Sequence, residues 1–154
     1  MKTNKILLVL IFELITASAF SQSLTLNDLM QFHRKNVKEV TEFLRSKNKS
    51  WHFEEHESGY SWWTFKSPSI LTYLKKTDGD ADHEEVIVIT DNPEISKNMM
   101  QEVKANEMIK EEGKNIFVGK KYVVAFIPEK NPQGKIFISV HLLTKTKYFR
   151  EKIN

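Results

Sequence analysis

The sequence predicts an α+β fold, with two helices packed on one face of a mainly antiparallel sheet of about six strands. Three observations carry this expectation. Residues 26 to 46 and 93 to 109 repeat apolar side chains at helical spacing, and the segments between and after them switch to an alternation of two. Short turn sequences separate the alternating segments at hairpin distances. The order reads α-β-β-β(-β)-α-β-β(-β), and helices covering one side of an antiparallel sheet bury every apolar stripe found.

The first helix starts at Leu24-Thr25-Leu26-Asn27-Asp28-Leu29. There Thr25 is the N-cap, Asp28 reaches back to it and Leu24 packs on Leu29. Leu26, Leu29, Met30, His33, Val37, Val40 and Leu44 form its apolar stripe, while Arg34, Lys35, Lys38 and Glu42 lie off it. Beyond the polar stretch 46–50, Trp51 and Phe53 alternate with His52 and Glu54 as in a strand. After a turn at Glu57-Ser58-Gly59, the run 60–65 is aromatic in both phases, which suits a strand with cover on both sides. Ser67-Pro68-Ser69 ends it. Residues 70–74 form another strand, residues 78–82 an acidic loop, and Val86-Ile87-Val88-Ile89 a central strand.

Asn92-Pro93-Glu94 opens the second helix, because proline in the first turn forfeits no helical bond. Ile95, Met99 and Val103, continued by Asn106 and Ile109, mark its inner side, and Gly113 is placed to end it. Strands follow at 116–118, 122–127 and 135–143, the last two joined by the turn Asn131-Pro132-Gln133-Gly134. Residues 145–154 form a basic tail that extends the last strand or frays. The two halves, each helix then meander, are loosely alike without a side-chain repeat.

Residues 1–21 read as a signal peptide. Lys2 and Lys5 supply a positive start, residues 6–12 an apolar run, and Ala17-Ser18-Ala19 a small-residue cleavage pattern, with cutting after Ala19 or Ser21. Glu13 and the short run argue against a retained membrane span. Residues 22–154 then form one domain, long enough to bury a core without disulfides or metal. The chain has no cysteine, so lipid attachment at a lipobox is excluded. The expected location is the periplasm or the medium. A net charge of +3 with acids and bases interspersed does not suggest nucleic acid. Asn48-Lys49-Ser50 matches a glycosylation sequon, a triplet common by chance.

No motif names a reaction. The segment 52–56 matches the H-x-x-E-H pattern of inverted zinc peptidases, whose two histidines must lie one turn apart on a helix. The strand-like alternation here would set His52 and His56 about 13 Å apart. Residues 78–82 open like a calcium loop with Asp78, Asp80 and Asp82, yet position six is His83 and position twelve Ile89, where glycine and glutamate are required. A nucleophile elbow, a phosphate loop and a dinucleotide fingerprint are all lacking. His33 and His141 read as core histidines. Lys75-Lys76, Lys120-Lys121 and the basic tail read as solvated strand edges.

Trp62 and Trp63 are adjacent on a strand and face opposite ways, so one of them can stand outside the core. With Tyr60 they are the candidate binding residues, and no catalytic residue, metal ligand or cofactor is assigned. In its leader, its length, its cysteine-free mature part and the T-L-x-x-L opening at Thr25 followed by an aromatic-rich meander, the chain resembles small exported proteins of unknown function from Gram-negative bacteria. The resemblance implies location and no activity. The expectation is a non-catalytic module that binds another envelope or secreted protein through a sheet face. The alternatives are a small periplasmic hydrolase acting on cell wall or peptides through His52, Glu54, Glu55 and His56, and a protein binding a small ligand or glycan.

Overall fold

The computed structural model describes residues 24–57, 59–66, 71–77 and 85–153. The expected leader and the Asp78–Asp82 loop lie outside these residues. The described elements are α1 (Leu26–Phe32), α2 (Val37–Lys47), β1 (Trp51–Glu57), β2 (Tyr60–Lys66), β3 (Leu71–Thr77), β4 (Glu85–Thr90), α3 (Pro93–Ala105), β5 (Ile109–Lys110), β6 (Ile116–Val118), β7 (Tyr122–Lys130), β8 (Ile136–Thr144) and α4 (Lys145–Ile153). The α+β class and the antiparallel sheet are as the sequence predicts. Eight strands replace the expected six or so, because the chain pairs Ile109-Lys110 with Phe117-Val118 at the far edge.

The strands lie in the order β1-β2-β3-β4-β8-β7-β6-β5. Each neighbouring pair is antiparallel. Two four-stranded meanders, 51–90 and 109–144, thus meet at the β4–β8 seam, with α3 carrying the chain from the seam to the far edge. Asn131 receives the Lys135 N–H on its side chain at 2.8 Å, and Gly134 takes φ +81°, so the Asn-Pro-Gln-Gly turn forms as read.

The single helix expected over 26–46 is two. A capping box closes at each start: Thr25 with Asp28, and Asn36 with Glu39. Arg34 at φ +79° turns the chain between them. Of the expected stripe Leu26, Leu29, His33, Val40 and Leu44 are buried, and Phe32, which that stripe did not include, is buried with them. His33, where α1 ends, packs its ring edge-on to Tyr122 at 5.3 Å. Asp28 is buried, and Lys47 at 2.5 Å compensates its charge.

α3 starts at Asn92 with Pro93 in the first turn and buries Ile95, Met99 and Val103. It stops eight residues before Gly113. Glu107 takes the left-handed conformation, φ +53°, while the N–H groups of Glu107 and Met108 bond the carbonyls of Lys104 and Val103 at 3.1 and 3.3 Å. This is the Schellman ending that a glycine usually provides. Asn106 and Ile109 are consequently exposed rather than inward, and Gly113 turns the chain between β5 and β6.

The core lies between α1–α3 and one face of the sheet. Trp51, Trp63, Leu74, Val88, Val124 and Leu142 are all within it. Burying each such side chain contributes about 1.5 to 3 kcal/mol. The expected basic tail is the helix α4. The Thr144 hydroxyl accepts the Lys147 N–H at 3.2 Å, a capping bond, and the Lys145 N–H bonds the carbonyl of Lys121 at 2.9 Å. α4 packs on β7 and β8 from the side opposite α1–α3, so the sheet carries helices on both faces and not on one. Among the described residues no helix is long and apolar enough to cross a membrane.

Candidate functional site

The face of the sheet turned away from α1–α3 is the candidate site. The pleat decides which side chains reach it. On β2, Ser61, Trp63 and Phe65 are buried, while Tyr60, Trp62 and Thr64 lie half-buried in the other phase. Register carries that phase across the sheet. Trp62 stands opposite Lys75 and Thr64 opposite Tyr73. Tyr73 then stands opposite Ile89, Ile89 opposite Ser139, and Ser139 opposite Ile127. Phe137 belongs to the same phase of β8 as Ser139.

The structure therefore divides the three candidate residues. Tyr60 and Trp62 are on this outer face. Trp63 is not: it has no solvent-accessible surface, packs 5.6 Å from the Phe53 ring and donates its indole N–H to Thr41 Oγ1 at 2.8 Å. Its assignment to a binding surface is corrected to a core position, since it shares the phase of Ser61 and Phe65. The same phase rule identifies outer-face residues that the sequence reading missed, namely Leu71, Tyr73, Ile89, Ile127 and Phe137. Their segments carry apolar residues in both phases, so only the pairing register assigns each side.

Two adjoining depressions cover this region. The larger, about 690 Å³, is lined by His52, Glu54, Trp62, Thr64, Lys66, Leu71 and Tyr73. The second, about 370 Å³, shares Trp62, Leu71 and Tyr73 and continues over Ile89 and Phe137 to Glu129 and Lys130. Trp62, Tyr73, Ile89, Phe137 and Ile127 together make a stripe running across five strands, about 19 Å from β2 to β7. Its flanks are polar. The Thr64 hydroxyl donates to Glu54 Oε1, and the buried Ser139, which stands between Ile89 and Ile127, donates to Glu129 Oε1. Lys75 Nζ lies 3.6 Å from the centre of the Tyr60 ring and 4.7 Å from that of Trp62, a cation–π clamp holding both rings in place. Its neighbour Lys76 points to the other side and is buried, so the lysine pair is no solvated edge.

The H-x-x-E-H segment is strand, as its alternation indicates. His52 pairs with Thr64 and His56 with Ser61, with a bulge between. This placement removes the one-turn spacing that two zinc-binding histidines of that motif require. Among the described residues, no group of three or more His, Asp or Glu side chains is arranged to hold a metal ion.

At the other end of β4, β8 and β7, where Glu85, Leu143 and Val123 stand in register, the outer face is different. Ile87, Val123, Ala125 and Leu143 are buried there. Glu85 accepts from Lys147 of α4 at 3.0 Å and lies 2.8 Å from His141 Nδ1, the three forming a partly buried charge cluster. Burial pushes the Glu85 carboxyl up, but the hydrogen bonds and charges of His141 and Lys147 outweigh it and hold the group below its ordinary value. Ser139, the hydroxyl nearest along the outer phase of β8, is committed to Glu129. Comparison of the chain with protein-family models, with curated proteins and with solved structures finds no match.

Proposed function

We propose that this chain is an exported, non-catalytic binding module that holds another macromolecule of the bacterial envelope, a protein, on the uncovered half of its outer sheet face. One observation carries the reading. Trp62, Tyr73, Ile89 and Phe137 line one depression, with Ile127 exposed beyond Ser139, and among the described residues no helix covers them, although α4 covers the neighbouring part of the face. An exposed contiguous apolar patch with a polar rim marks an interaction site, and Trp and Tyr are the residues most enriched where binding energy concentrates. The rings are held rigidly by the sheet and by the Lys75 clamp, so little side-chain entropy is lost when a partner covers them. Export rests on the leader in the sequence.

The test is affinity capture with the tagged chain 22–154 from native envelope extract, with bound proteins identified by mass spectrometry. A stoichiometric partner, lost with Trp62→Ala and with Phe137→Ala in variants that keep the parent's circular dichroism, is the expected result. A partner retained by both variants overturns the assignment of this face. Recovery of the chain alone, together with saturable binding to peptidoglycan fragments, transfers the face to a glycan ligand and overturns the protein-binding reading.

A further inference from the structure

A second surface lies at the opposite end of the sheet. Register places Ile109, Val118, Val123, Leu143 and Glu85 in one row across the outer face. α4 covers the inner members of the row, and Ile109 at its end is 76% exposed. Phe149 of α4 is 40% exposed. A depression of about 660 Å³ opens at this edge, lined by Ile109, Lys120, Lys121 and Lys145 and, from the α1 side, by Met30 and Tyr122; Lys110, which also borders it, pairs with Phe117 and so lies in the phase opposite Ile109. Lys145 Nζ is 5.9 Å from the centre of the Phe149 ring, so the helix and the edge strands contribute to one surface. Two acids also line it, Glu107 and Glu111. Glu111 accepts from Tyr148 Oη at 2.8 Å and lies 3.8 Å from Lys114, which offsets its charge. The surface is net positive.

We infer that this end of the molecule docks peripherally on an anionic bilayer, with Ile109 and Phe149 entering the headgroup layer and Lys120, Lys121 and Lys145 meeting lipid phosphates. Protruding aliphatic and aromatic side chains ringed by lysine are what an interfacial membrane contact requires. A protein partner fits less well. Lysine is depleted from the buried parts of protein interfaces, and β5 at two residues is too short an edge to accept an added strand. The inference is independent of the aromatic stripe.

Co-sedimentation with vesicles tests it, using chain 22–154, which retains every described element and lacks the apolar leader that would itself enter lipid. Partition onto vesicles of equal phosphatidylglycerol and phosphatidylethanolamine is expected, weakening as salt rises, with none onto phosphatidylcholine alone. The double variant Lys120→Gln/Lys121→Gln should lower the partition coefficient about thirtyfold, and Ile109→Ser about fivefold. These side chains are exposed, so both variants should keep the parent's melting temperature. Trp62→Ala should partition like the parent, which separates this surface from the aromatic one. Equal binding to phosphatidylcholine, unchanged partition of both variants, or saturable binding of inorganic polyphosphate without vesicle binding each overturns the inference.

Discussion

The outer face of the sheet is finished differently over its two halves. Over the ends of β7 and β8 that hold Val123 and Leu143 it is covered by α4, and the polar groups Glu85, His141 and Lys147 there bond to one another. Over β1 to β3 no described helix covers it. There the polar residues Glu54, Thr64 and Lys66 line a groove, and Lys75 supports the rings of Tyr60 and Trp62. The inner face under both halves is continuous core. The comparison separates two uses of large side chains within one sheet: apolar area that stabilises the fold, and apolar area held ready at the surface.

Trp62 and Trp63 concentrate that contrast in one dipeptide, and Trp63→Ala is the largest expected effect. Trp63 is fully buried with its indole N–H bonded to Thr41, so truncation leaves a cavity and an unfilled acceptor and costs about 3 to 5 kcal/mol. Denaturant unfolding measures it. A loss below about 1 kcal/mol would place Trp63 outside the packed core and dissolve the distinction between the faces.

The covered half breaks at its charges. Glu85→Gln removes the carboxylate that Lys147 and His141 share, at an expected cost of about 1 to 3 kcal/mol after allowance for partial exposure. A pH series sharpens this. Because the native carboxyl titrates below the unfolded one, its contribution is complete above the unfolded glutamate value of about 4.3 and fades as pH falls through the native value. The parent should lose stability in that acid range more steeply than Glu85→Gln. Parallel curves would show that the cluster does not hold α4.

Thr144→Ala comes next in size. The Thr144 hydroxyl caps α4, and removing it should cost about 1 kcal/mol, read as a lower melting temperature with faster amide exchange confined to 145–153. Exchange unchanged in that segment would mean that side-chain contacts alone dock the helix.

These elements also show what was legible in the sequence and why the rest was not. Strand alternation placed Trp62 and Trp63 on opposite faces, and the polar phase shared by Thr64 and Lys66 already marks Trp62 as the outward one. The break between α1 and α2 was written as Asn36-x-x-Glu39, a second capping box, but the apolar stripe continues through it and conceals it. α4 was not readable locally. Its first turn carries Lys145 and Lys147 and no acid, against the helix dipole, and the carboxylate that favours it comes from Glu85 on β4, sixty-two residues away in sequence. The outer stripe had the same difficulty: Tyr73 meets Ile89 across the β3–β4 pair, but Phe137 joins them only through the β4–β8 seam, a pairing between segments on either side of a whole half-domain.

The smallest expected effect on stability decides most about function. Trp62 is only half-buried and its ring meets Lys75 and solvent, so Trp62→Ala should cost under about 1 kcal/mol while removing the centre of the groove. If the open half is held ready for a partner, this variant melts close to the parent but binds at least about tenfold more weakly, since a central tryptophan commonly supplies 2 kcal/mol or more of binding energy. Melting several degrees lower would instead show that the ring stabilises the sheet as Trp63 does. The two halves of the outer face would then differ only in what covers them, a helix on one side and aromatic rings on the other, and the groove would be a by-product of packing.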